Sequence, residues 1–147
     1  TGATEGINAI TNGHLTSLSE QNLVDCATVK YGNYGCNGGF MDGGFKYIIE
    51  NKGIDTEASY PYRSADGQCK FDPKNVGGTL KGYTDIPKGD ENALLVAAAQ
   101  QPVSVGIDAG RQSFMYYAKG VYDDPECSST YLNHGVLVVG WGVENGH

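Results

Sequence analysis

The chain has 147 residues, a formal net charge of −7 and 22 glycines. The acidic balance, with no basic cluster to neutralise phosphate, excludes a nucleic-acid surface and fits an anionic membrane poorly. No apolar run approaches the roughly 18 residues of a membrane helix, and the aperiodic glycines exclude collagen-like and low-complexity chains.

Ala3, Ile7 and Ile10 recur at helical spacing, and Gly13 follows as a helix C′ residue. Ser17 to Cys26 reads as a short helix. Ser17 with Glu20 makes a capping-box pattern, Ser19 is the competing N-cap, and Leu18, Leu23, Val24 and Cys26 form the inner face. Residues 27–39 have turn composition. Met41, Phe45, Ile48 and Ile49 then share a helical stripe that Asn51-Lys52-Gly53 stops. Gly43 and Gly44 each cost that helix about 1 kcal/mol relative to Ala. Either another group needs their space or tertiary packing carries the helix.

Tyr60-Pro61-Tyr62 is an extended corner, and residues 64–73 form a polar loop around Cys69. Gly82 to Pro87 reads as an edge strand that Pro87 ends. Asp90 caps a helix through Ala93, Leu94, Ala97 and Ala98, which Pro102 cannot extend. Val103, Val105 and Ile107 alternate as a strand with one buried face. Phe114 to Tyr117 is an aromatic cluster read as core, with the wall of a site as the competing reading. Residues 122–130 are a loop carrying Cys127.

The run from Asn133 to Gly142 places His134 at the mouth of a continuous apolar stretch. It reads as a buried central strand, with Gly140 and Gly142 admitting close backbone approach. A histidine leading into such a strand is held by a rigid scaffold, and imidazole changes charge near neutral pH. The competing reading is a histidine that only packs.

Helices in the first half and strands in the second, without βαβ alternation, predict an α+β fold in two lobes, 1–85 and 86–147, sharing a cleft. The start at Thr1 inside a helical pattern, and the hairpin-like turn Glu144-Asn145-Gly146, are expected of an internal fragment truncated at both ends. Cysteines stand at 26, 36, 69 and 127. Without a C-x-x-C pair they do not fit a zinc ribbon, and no metal site is expected. They read as a disulfide framework from an oxidising compartment, with three pairings open.

Five stretches, in order, carry a resemblance that runs over essentially the whole chain. They are Ser17-Leu18-Ser19-Glu20-Gln21-Asn22-Leu23-Val24-Asp25-Cys26, Gly35-Cys36-Asn37-Gly38-Gly39, Asp55 to Tyr62, Pro102-Val103-Ser104-Val105 and Asn133-His134-Gly135-Val136. Together they resemble papain-like cysteine peptidases, most closely the cathepsin L branch. The resemblance implies a papain-like fold with a helical left lobe, a β-rich right lobe and the active-site cleft between them. It implies a nucleophilic cysteine at the N-terminus of a central helix whose tail is Thr1 to Asn12. There the helix dipole and an imidazolium favour the thiolate. His134 exchanges the proton and an asparagine orients the ring. In this family the histidine follows the nucleophile by roughly 130–150 residues. His134 lies in that range if the nucleophile precedes Thr1 by about half a dozen residues.

By the same resemblance, the nucleophile, the oxyanion-hole glutamine and the orienting asparagine lie outside this sequence, and the polypeptide alone is expected to be inactive. Gly38 and Gly39 resemble the glycines that pair with an extended peptide substrate. Met41, Gly106 and Leu132 resemble positions lining the main specificity pocket, with Phe40 on its rim. For Met41, plain helix core is an equal alternative. A bulky hydrophobic residue two before the cut would suit these linings. Asn133 stands where many relatives carry aspartate, and Gly43 where the cathepsin L branch often has tyrosine. His14 and His147 match no catalytic position and are expected to face solvent. The family pattern pairs Cys26 with Cys69, and pairs Cys36 and Cys127 with cysteines outside the chain. It implies no cofactor, a monomer in the lysosome or outside the cell, extended peptide or protein substrates, and a propeptide and cystatin-type inhibitors as further partners. The alternative is a non-proteolytic homologue with a substituted nucleophile, such as a silica-forming structural protein or a binding protein. A disulfide-stapled binding module is the reading that remains if the motif series is set aside.

Overall fold

The computed structural model describes residues 1–144 and 146. Asn145 and His147, and with them part of the expected terminal hairpin turn, lie outside the described residues. The chain forms two compact units, Thr1–Asp85 and Ile86–His147.

In the first unit, α1 spans Gly2–Asn12 and ends where Gly13 turns left-handed at φ 81°. Helix α2 is Glu20–Cys26, and Ser19 rather than Ser17 caps it, accepting from the Asn22 amide. Helix α3 is Met41–Asn51, stopped by Lys52 at φ 62°. Strands β1 (Ile54–Asp55) and β2 (Val76–Gly78) pair antiparallel around a register irregularity. Single 3-10 turns occupy Val29–Tyr31, Gly35–Asn37 and Pro73–Asn75. Leu18, Ala27, Tyr47, Ile48 and Ile54 form the core, with Leu23, Cys26, Tyr31 and Leu80 packed against it. Each large apolar side chain buried there contributes about 1.5–3 kcal/mol.

The inner face of α2 differs from the sequence expectation. Its buried positions are the polar Gln21, Asn22 and Asp25, while Leu23, Val24 and Cys26 are half-buried. Burial of polar groups is tolerated because they are hydrogen-bonded. Gln21 donates to Ala65 O and accepts from the Arg63 amide. Asn22 donates to Tyr47 Oη and accepts from the Asp55 amide. Asp25 accepts from Gln21, the Tyr60 hydroxyl, Arg63 and the Gly67 amide. The Cys26–Cys69 disulfide closes beside this network. Helix α2 thus ties down the 60–70 segment by polar contacts and a covalent bond, not by an apolar stripe.

In the second unit, α4 is Glu91–Ala98, capped by Asp90 Oδ1 accepting from the Ala93 amide. Strands β3 (Val103–Ile107) and β4 (His134–Val138) make a two-stranded antiparallel sheet, with Ile107 opposite His134 and Val103 opposite Val138. Helix α5 is the single turn Gln112–Met115. Four expectations are corrected here and at the unit boundary. Gly82 to Pro87 forms no strand. β3 is half-buried along its whole length, without alternation. β4 is exposed at His134 and Gly135, half-buried from Val136 to Val138 and paired only with β3 among the described residues, and the apolar run continues past it as exposed chain, with Val139 76% and Trp141 63% exposed. The aromatic cluster is also largely outside any core. Phe114 and Tyr117 stack edge-on against Tyr122, while Tyr116 is 82% exposed.

Candidate active site

The structure groups the site residues into two sets, one in each unit. The first is the loop joining the 3-10 turn Gly35–Asn37 to α3. Gly38 sits at φ 97°, ψ −170°, a conformation open to glycine and strained for other residues. The Tyr34 amide donates to Gly38 O at 2.9 Å, and the Phe40 amide donates to Asn33 Oδ1 at 2.7 Å. A Cβ on Gly39 would lie 2.2 Å from Asn33 Oδ1, so any side chain there would displace the Asn33 carboxamide. Among the described residues the Gly39 N–H and C=O have no partner, and Gly39 and Phe40 are exposed. Backbone edges of this kind accept an added strand. Met41 opens α3 and is exposed.

Asp66 holds the turn before these glycines, accepting from the Cys36 amide at 2.7 Å. Cys36 is exposed and unpaired, as is Cys127. The Cys36 thiol is pushed above its usual range, first by desolvation, then by Asp66 and more distantly Asp25. A nucleophilic cysteine needs the opposite, an electropositive surrounding that favours thiolate. Cys36 therefore does not fit that role.

The second set is built on β3 and β4. His134 is the first residue of β4, exposed, and opposite Ile107. Asn133 clamps the backbone just before it. Its amide donates to Ile107 O at 3.0 Å, and its Oδ1 accepts from the Ala109 amide at 2.8 Å. Gly106 pairs with Gly135, and a Cβ on Gly106 would come within 3.3 Å of Leu132. Behind this strand end, buried Asp108 accepts from the Gly110 and Ser128 amides and from Arg111. Its carboxyl is held below the usual carboxylate range, chiefly by the Ser128 and Gly110 amides, with Arg111 adding to them. Asp108 thereby ties the strand end to the loop that leads into Asn133.

Across residues 1–147 the sequence matches the family described as papain family cysteine protease. The chain belongs to that family. A cathepsin L-like protein of Caenorhabditis elegans is 59% identical over 148 residues, which cover 100% of this chain and 44% of the relative. Cathepsin S of Bos taurus is 56% identical, covering 99% of this chain and 44% of the relative. The solved structure of digestive procathepsin L 3 from the Tenebrio molitor larval midgut superposes with a TM-score of 0.93 at 50% identity, covering 99% of this chain and 47% of that one. The chain thus spans less than half the length of these relatives, and its fold is the papain-like α+β fold.

Within this papain-family chain, sequence reasoning missed Asn33, Asp66 and Asp108. Each acts on backbone amides elsewhere in the fold, and only the Asn/Gly-rich turn composition around Asn33 hinted at any such role. His14 is exposed and remote in sequence from both sets.

Proposed function

We propose that the whole protein containing this chain is a cathepsin L-like cysteine-type endopeptidase. The supporting observation is the 59% identity to a cathepsin L-like relative across the full length of the chain. In this reading His134 is the general base and acid, and a cysteine outside these 147 residues is the nucleophile. His134 takes the thiol proton. The thiolate attacks the scissile carbonyl, and the imidazolium returns the proton to the leaving amine as the C–N bond breaks. An acyl-enzyme thioester remains. A water deprotonated by His134 attacks it, releasing the acid and restoring the thiol.

The Gly38–Gly39 edge pairs with the extended peptide backbone, with Phe40 beside it. Met41, Gly106 and Leu132 are the positions assigned to selecting a bulky apolar residue two before the cut, and the Asn133 carbonyl is assigned to the substrate backbone. A lysosomal or extracellular location, and binding of a propeptide and cystatin-type inhibitors, belong to the same proposal.

The test is hydrolysis by the whole protein of a fluorogenic peptide with Phe two residues before the cut. Loss of turnover in His134→Ala, together with stoichiometric labelling of one cysteine by iodoacetamide, is expected. A whole protein that binds the peptide without cleaving it would overturn the peptidase reading and favour the non-proteolytic homologue.

A further inference from the structure

We propose that Asn33 is the positioning residue of the Gly39 edge, the side chain that holds this backbone in register for an extended peptide. The proposal rests on the peptide-binding reading of that edge. Asn33 is half-buried beneath the loop between the Gly35–Asn37 turn and α3, and the loop closes on it. Its Oδ1 accepts from the Phe40 amide at 2.7 Å. The neighbouring carbonyl, Gly38 O, is taken by the Tyr34 amide at 2.9 Å. The peptide groups flanking Gly39 are thus both engaged inward, and among the described residues only the N–H and C=O of Gly39 itself are left over.

The same carboxamide occupies the space a side chain would take at two glycines. A Cβ at Gly39 would lie 2.2 Å from Asn33 Oδ1, and one at Gly43 would lie 2.7 Å from Asn33 Nδ2. Asn33 therefore sits between the loop and the first turn of α3, touching both. Its one side-chain hydrogen bond points at the loop, so its removal frees the Phe40 amide and leaves the helix in place.

The experiment compares Asn33→Ala and Asn33→Asp in the whole protein. Asp keeps an acceptor at Oδ1, and Ala removes it. Two readouts are taken: amide exchange at Phe40, referenced to Gly53, and the kinetics of the fluorogenic Phe-containing peptide. Expected for Asn33→Ala are faster exchange at Phe40 with Gly53 unchanged, and KM raised about fivefold with kcat within about twofold, the signature of lost uniform binding. Asn33→Asp is expected to restore both. Unchanged exchange at Phe40 in Asn33→Ala, a fall in kcat with KM unmoved, or failure of Asn33→Asp to restore KM overturns the proposal. If the wild-type protein cleaves nothing, the peptidase reading falls separately. The dissociation constant of the same peptide then replaces KM, with the same fivefold weakening expected and an unchanged constant overturning the role of Asn33.

Discussion

Asn133 Oδ1 accepts from the Ala109 amide at 2.8 Å, joining the residue before His134 to the chain that leaves β3. The Asn133 amide closes the same junction through Ile107 O. The residue that leads into His134 is therefore held through both its backbone amide and its side chain. A neutral hydrogen bond of this kind contributes about 0.5–1.5 kcal/mol, so, on the proposed peptidase function, Asn133→Ala is expected to lower kcat/KM of the whole protein about threefold to tenfold. Asn133→Asp retains the acceptor and is expected to keep kcat/KM within about twofold. A drop in melting temperature with unchanged kcat/KM would confine the clamp to folding.

Two buried carboxylates of the first unit respond to acid with opposite signs. Burial by itself would raise the Asp25 pKa, but bonds from Tyr60, Gln21 and Gly67 and the charge of Arg63 outweigh it and hold the carboxyl below its usual range. The partner hydroxyl of Tyr60 is pushed up to about 12, by burial first and then by Asp25. A depressed folded pKa stabilises above the unfolded value, near 3.9, and that stability is lost as pH falls through the folded value. Melting temperature is thus expected to hold from neutral pH to about 5 and to fall below about 4, with Asp25→Asn lacking this acid-side loss. Asp25→Ala leaves the half-exposed Arg63 and two polar side chains without their shared acceptor and is expected to cost about 1–3 kcal/mol.

Asp55 is 1% exposed, and its Oδ1 has no hydrogen-bond partner among the described residues. Its pKa is raised, by burial first and by the charge of Asp72, against the Asp72 amide that bonds the other oxygen. A carboxylate with a raised folded pKa destabilises when ionised, and that penalty vanishes below the unfolded value near 3.9. Asp55→Asn is expected to raise the melting temperature more at pH 7 than at pH 4. An equal change at both pH values would contradict this.

Adjacent glycines in α3 make a paired test of helix packing. A Cβ at Gly43 would stand 2.3 Å from the Tyr31 carbonyl oxygen, which is backbone and cannot swing aside. Gly43→Ala is expected to destabilise by about 1–3 kcal/mol. At Gly44 the nearest atom is Leu23 Cδ1 at 3.8 Å, an ordinary contact. Gly44→Ala is expected to stabilise by about 0.5–1 kcal/mol through helix propensity. Denaturant midpoints of the two variants check the sign of each.

The Cys26–Cys69 bridge spans a sequence separation of 43. Chain entropy alone assigns such a loop about 4 kcal/mol, so the Cys26→Ala/Cys69→Ala double variant is expected to lose much of the first unit's stability. Urea unfolding followed by Trp-independent signals of that unit measures it, since Trp141 lies in the second unit. A non-reduced digest is expected to recover the 26–69 peptide pair. A Cys36–Cys127 pair in folded monomer would contradict the assignment of partners outside the chain.

The sequence alone determined the features whose cause is local. The Asp90 side-chain cap sets the start of α4, the left-handed turn at Gly13 and the stop at Asn51-Lys52-Gly53 set the ends of α1 and α3, and only the choice of Ser19 over Ser17 as the cap of α2 waited for the fold. The ordered motifs around Cys26, Gly38 and His134 were enough to mark the family. Only the tertiary structure decided what depends on partners far along the chain. β1 and β2 are two and three residues long and arise from pairing across more than twenty positions, so no periodicity announces them. The polar buried face of α2 is tolerable solely because Tyr47, Asp55, Tyr60, Arg63, Ala65 and Gly67 arrive to satisfy it. Asn33, Asp66, Asp108 and Asn133 shape the candidate site through bonds to distant amides. A hydrogen bond of that kind is a property of two backbones brought together, and nothing in either segment by itself records it.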